Sequence, residues 1–89
     1  MVPVITKLTY AHVQPGVYSE VYLDVEGAPG QAVTAELTGP GVISVAAMDG
    51  LTDSSGKLRL TWKINLLGTY SVKGTVAAEA FIKQVVVQG

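Results

Sequence analysis

Along this chain apolar and polar residues alternate at every second position in several runs that Gly, Pro and Asp interrupt. The clearest run places Lys57, Arg59, Thr61 and Lys63 on one side and Leu58, Leu60, Trp62 and Ile64 on the other. A period of two is the repeat of a strand with one dry and one wet face, and a Trp on the apolar side marks the dry one. The turn Asp53-Ser-Ser-Gly56 launches this run, and Leu67-Gly68 launches another through Tyr70 and Val72. The same alternation over Tyr18–Glu26 puts Val21, Leu23 and Val25 inward and Glu20, Tyr22, Asp24 and Glu26 outward. Over Ala32–Thr38 it puts Val33, Ala35 and Leu37 inward. With further strands at 4–9, 42–47, 69–76 and 81–88, the pattern predicts seven strands at roughly 8–12-residue spacing, an all-β sandwich of two antiparallel sheets.

The connections read from their turn chemistry. Gly27-Ala-Pro-Gly30 and Gly39-Pro-Gly41 are turns, residues 10–16 form a loop through His12, Gln14, Pro15 and Gly16, and 48–56 is the longest polar loop. In the last strand Ile82, Val85, Val86 and Val87 do not share a face, which predicts a bulge or burial on both sides near an edge. The Ala-rich patches Ala46-Ala47 and Val76-Ala-Ala78 are too short for helices.

The phrase Thr52-Asp53-Ser-Ser-Gly56-Lys57, then an alternating strand, then Gly68-Thr-Tyr70-Ser-Val72, resembles the second half of bacterial immunoglobulin-like domains. The nearest pattern is that of the invasin and intimin adhesins, which recurs in phage structural proteins. Val85-Val-Val87 fits their closing strand, and Val21-Tyr-Leu-Asp-Val25 with the following turn and residues 32–37 fits more loosely. The resemblance covers residues 18–88, is most specific over 52–76, and departs at Trp62 and in the compact middle of the chain. It implies an immunoglobulin-like seven-stranded antiparallel β-sandwich. It also implies a structural or adhesive module on a phage virion (capsid or tail) or a bacterial surface protein, hence an extracellular or virion-surface location. Gly68-Thr-Tyr70-Ser-Val72 is similar as well to the Gly-x-Tyr-x-Cys of antibody domains, which would make Tyr70 a tyrosine corner with Val72 at the Cys position.

Charge placement agrees with that topology, in which the second and fifth strands are neighbours. The outward face of the second is acidic (Glu20, Asp24, Glu26) and that of the fifth is basic (Lys57, Arg59, Lys63); the third and sixth carry Glu36 and Lys73. Opposite charges across adjacent strands favour pairing by roughly 0.2–1 kcal/mol each. These stripes therefore read as pairing devices and not as a binding patch.

Composition narrows the function classes. The 89 residues, 48% hydrophobic and 15% charged, suit one domain over 1–89, read as part of a longer protein. With no cysteine there is neither a disulfide nor a thiolate metal site, and a formal charge of −1 gives no electrostatic case for nucleic acid. No apolar run approaches the roughly 18 residues of a spanning helix, so membrane insertion is not expected. Met1-Val-Pro-Val4 lacks the basic and apolar regions of a signal peptide.

Candidate chemistry is thin. His12 is the only histidine and reads as a surface-loop residue; Ser54 and Ser55 read as turn residues. Asp49 and Asp53, in one polar loop, are a weak calcium candidate without the 6–8 oxygen ligands that Ca²⁺ prefers. No convergent acid/base pair or nucleophile is legible, so no enzyme and no cofactor are expected. Tyr10, Tyr18 and Tyr22 form a candidate aromatic set for stacking on surface glycans. The alternatives to a structural or adhesive module are therefore a carbohydrate-binding module and an inert spacer. The expected partner is the parent polypeptide or the virion or cell-surface assembly. Trp62, Tyr70, Leu58, Leu60, Val72, Leu23 and Val21 are the predicted core. Val85-Val-Val87 is a site for edge-to-edge self-pairing, with Lys83 as the residue that blunts it.

Overall fold

The computed structural model describes residues 4–14 and 16–88; the readings of residues 1–3, Pro15 and Gly89 fall outside the described residues. The strands are β1 Ile5–Gln14, β2 Tyr18–Glu26, β3 Ala32–Thr38, β4 Ala47–Leu51, β5 Lys57–Ile64, β6 Gly68–Val76 and β7 Glu79–Val87. They form two antiparallel sheets, β1-β2-β5 and β4-β3-β6-β7, an immunoglobulin-like seven-stranded sandwich. Inward positions of both sheets build one core, in which Val21, Leu23, Trp62, Ile64, Tyr70 and Val72 are wholly inaccessible. Leu60 is buried as well, and Leu58 is half-buried at the rim with Leu8, Tyr10, Phe81 and Val85.

Strand register follows from the charges. Glu20 lies opposite Lys63, Asp24 opposite Arg59 and Glu26 opposite Lys57 in the β2–β5 ladder, and Glu36 opposite Lys73 in the β3–β6 ladder. Arg59 forks onto Asp24 with Nε–Oδ1 at 2.7 Å and Nη2–Oδ2 at 3.0 Å, and Lys57 Nζ lies 3.8 Å from Glu26. Exposed pairs contribute only about 0–1 kcal/mol. Their effect is on specificity, because a one-residue slip would turn every inward side chain out.

Three expectations are corrected. The fourth strand is not 42–47 but Ala47–Leu51, inside the stretch read as a polar loop. Its alternation is hidden because Gly50 takes an inward position: it packs against Leu58, and a Cβ there would come within 3.2 Å of Leu58 Cδ2. Val42 makes only an isolated bridge to Ile64, and residues 42–46 cross between the sheets. β1 runs on to Gln14 with a bulge between His12 and Gln14, so Tyr10 and His12 are strand residues and not loop residues. β7 carries no bulge and is not buried on both sides. It pairs with β6 without interruption, with Val87 buried and Phe81 and Val85 half-buried on the inner face. Ile82 and Val86 stay 59% and 52% exposed on the outer face.

The Tyr70 hydroxyl donates to the Leu66 carbonyl at 2.7 Å, the geometry of a tyrosine corner. Its ring lies where a Cβ on Gly39 would be, which explains the glycine. Burial raises the Tyr70 pKa, while the backbone at Gly41 and Leu66 acts in the opposite direction. The molecule measures 42 × 21 × 19 Å. β1 begins beside Glu26 at one end of the long axis, and β7 ends beside Gly68 at the other.

The β6–β7 hairpin turns through Ala77 at φ 50° and Ala78 at φ 69°. Two left-handed residues between paired strands make a type I′ turn, where Asn and Gly are favoured and alanine is strained. Replacing Ala77→Asn and Ala78→Gly together should raise stability by about 1 kcal/mol. Urea denaturation measures it, and a lower midpoint would contradict the strain.

Candidate functional site

Three regions carry the polar and exposed groups that a function would use: the outer face of the three-stranded sheet, the β4–β5 turn, and the pole where β7 ends. On the outer face, rows run across β1, β2 and β5 as Ile5–Glu26–Lys57, Lys7–Asp24–Arg59, Thr9–Tyr22–Thr61 and Ala11–Glu20–Lys63. A shallow groove lies over the first two rows. The Arg59 guanidinium carbon sits 4.8 Å from the Tyr22 ring centre, and Lys63 Nζ sits 5.1 Å from that of Tyr18. The Tyr22 hydroxyl donates to Glu20 Oε1 at 3.0 Å. Desolvation raises the Tyr22 pKa, and the bond to Glu20 and its charge raise it further. The hydrogen bond to Asp24 raises that of Arg59.

Tyr18 and Tyr22 thus share this face with Glu20, but Tyr10 does not. Tyr10 pairs with Val21 and therefore shares Val21's inward face, so the three tyrosines do not make one platform. It packs edge-on to His12, with centroids 5.5 Å apart, and its hydroxyl accepts from Gln88 N at 3.4 Å. His12 bonds Ser19 Oγ through Nδ1 at 2.8 Å and the Gln88 carbonyl through Nε2. These contacts fasten the end of β7 to the opposite sheet.

The calcium candidates lie on separate elements. Asp49 is in β4 opposite Thr34, and Asp53 begins the turn into β5. Asp53 Oδ1 accepts from Ser55 N at 2.8 Å and Lys57 N at 3.0 Å, so the turn itself uses this carboxylate oxygen. Among the described residues no three His, Cys, Asp or Glu side chains are grouped to hold a metal ion. Thr52, which sequence reasoning passed over, is the buried polar residue of this end. Its Oγ1 donates to the Ala28 carbonyl at 2.7 Å and accepts from Gln31 N at 2.8 Å, binding the β2–β3 turn to the β4–β5 turn. A Thr just before an Asp turn was the available signal.

A second feature missed in the sequence is the pole where β7 ends. Val13, Val17, Leu66 and Leu67 are 43–59% exposed there, and Val17, Leu66 and Leu67 line one groove with Tyr18, Ser19 and Asn65. Asn65 N donates to the Gly41 carbonyl, which joins the β3–β4 connection to the same end. None of the three connections (residues 13–17, 39–46 and 65–67) contains a charged residue. The signal in the sequence was that absence of charge, spread over segments far apart along the chain.

The Asp53 carboxylate has its pKa lowered, first by the Lys57 N–H and then by that of Ser55. A depressed native pKa gives stability that is present above the unfolded value and is lost as pH falls through the native value. Asp53→Asn, which keeps the acceptor and removes the titration, should therefore flatten the acid limb of a stability–pH curve. An unchanged limb would contradict this role.

No protein-family model and no curated protein matches the sequence. Among solved structures the chain is similar to part of the β-glucosidase of Listeria innocua in complex with glucose. The identity is 13% and the TM-score 0.46, and the match covers 99% of this chain and 16% of that one.

Proposed function

We propose that this domain is a non-enzymatic structural or adhesive module of a larger extracellular or virion-surface assembly, either a phage capsid or tail or a bacterial surface protein. The observation that carries this reading is the uncharged apolar pole formed by Val13, Val17, Leu66 and Leu67. Exposed aliphatic side chains gathered on one tip favour contact with another surface, whereas the same residues scattered singly would mean nothing. The elongated shape supports it, since β1 begins at one end of the long axis and β7 finishes at the other, as suits a module set in series. Lys57, Arg59 and Lys63 of the outer face engage their own neighbours, which supports reading that face as structural.

Arg59 lies over the Tyr22 ring and Lys63 over that of Tyr18, where a pyranose would need an open aromatic face. We therefore keep the adhesive or structural reading ahead of glycan binding.

Such contacts are weak singly and strong in many copies. Tetramers of the domain on a streptavidin core should be retained on bacterial cells about 10²–10⁴-fold more strongly than monomer. Leu66→Ser with Leu67→Ser should abolish that retention without unfolding the sandwich. Equal, negligible retention of monomer and tetramer would overturn the adhesive reading and leave the structural one, and turnover of a glycoside by the monomer would overturn both.

A further inference from the structure

β7 is an edge strand, and its free side has a definite chemistry. A two-residue hairpin is closed by a pair that exchanges both backbone hydrogen bonds, here Val76 and Glu79. Counting along the ladder from that pair, residues 79, 81, 83, 85 and 87 turn their N–H and C=O groups toward β6. Residues 80, 82, 84 and 86 turn theirs away. Among the described residues, β7 has no strand partner other than β6. Gln88 continues the outward series, but its N–H is held by the Tyr10 hydroxyl and its carbonyl by His12. Side chains of β1 thus cap the end of the edge, while the stretch from Ala80 to Val86 is left bare.

We propose that this stretch pairs with the same stretch of a second copy, antiparallel about a two-fold axis through Gln84, joining two four-stranded sheets into one of eight. The side chains select this register over its neighbours. Centred on Gln84, Ile82 faces Val86 of the second copy at both ends, and the two Gln84 amides meet in the middle. Both exposed aliphatic residues of the strand are then covered. Moving the axis to Lys83 would bond all four outward residues, but it would set the two Lys83 ammonium groups directly opposite each other, and like charges in that position oppose pairing. Moving it to Ile82 leaves Val86 overhanging the hairpin turn. In the Gln84 register Lys83 faces Val85 of the second copy. The inward-pointing lysine therefore excludes the competing register instead of blocking the edge outright. The dimer is isologous, so it closes and does not propagate into fibres.

The chain contains no cysteine, which makes single-cysteine variants clean reporters. Sedimentation velocity from about 10 µM to about 1 mM, a range spanning weak association, should show a shift toward twice the monomer mass. Ile82→Glu should abolish the shift; because Ile82 is exposed and lies opposite Lys73 of β6, its circular dichroism and melting should match the parent. On mild oxidation Gln84→Cys should form a disulfide dimer about tenfold or more faster than Ser54→Cys in the β4–β5 turn, since opposed strand residues lie within disulfide reach. A monomer at all concentrations would overturn the proposal. So would cross-linking of Gln84→Cys no faster than Ser54→Cys, or association that survives Ile82→Glu.

Discussion

The carbonyl of Ala46 accepts hydrogen bonds from both sheets. Trp62 Nε1 of β5 donates to it at 2.7 Å, and the Leu37 amide of β3 donates at 3.1 Å. It sits where the chain, having crossed past the edge of β5 through Ile43 and Ser44, turns back to pair Ala47 with Glu36. The indole is wholly buried, and an unpartnered N–H there would be penalised by about 1–3 kcal/mol. One acceptor thus satisfies the largest side chain of the core and fixes the point at which the fourth strand joins the sheet of β3. In constant-type immunoglobulin domains the fourth strand lies beside the fifth; here the crossover is held so that β4 cannot take that place.

Around this anchor the two outer faces and the two poles divide the remaining tasks. The outer face of the three-stranded sheet is occupied by Arg59 on Asp24, Lys57 on Glu26 and the cations over Tyr22 and Tyr18, which set register. The pole with the β2–β3 and β4–β5 turns is tied by Thr52 and Asp53. Exposed aliphatic side chains gather at the opposite pole and on the outer side of β7, while Ile5, Val45 and Leu51 are exposed elsewhere. Both gatherings suit contact with other molecules.

The strands whose two faces see different media were legible in the sequence. β2, β3 and β5 alternate without interruption because each turns one face to the core and the other to water. β4 was not legible, since Gly50 and Asp49 resemble a turn until Gly50 is seen against Leu58. β7 misled because Ile82 and Val86 are exposed apolar residues of an edge, which local patterning cannot tell from buried ones. The three tyrosines were legible as aromatics of the first two strands but not as half-buried residues of two faces, because the register between β1 and β2 decides where Tyr10 points. The apolar pole lies beyond any local window, since its residues come from three separated connections.

Native-state hydrogen exchange on Trp62→Phe tests the anchor most directly. Phenylalanine retains most of the buried ring and removes only the donor to Ala46. If that bond fixes the crossover, the β4 amides paired with β3 should lose protection by about tenfold or more, while those of the β1–β2 ladder change little. A uniform loss across both sheets, or β4 protection equal to that of the parent, would contradict the account.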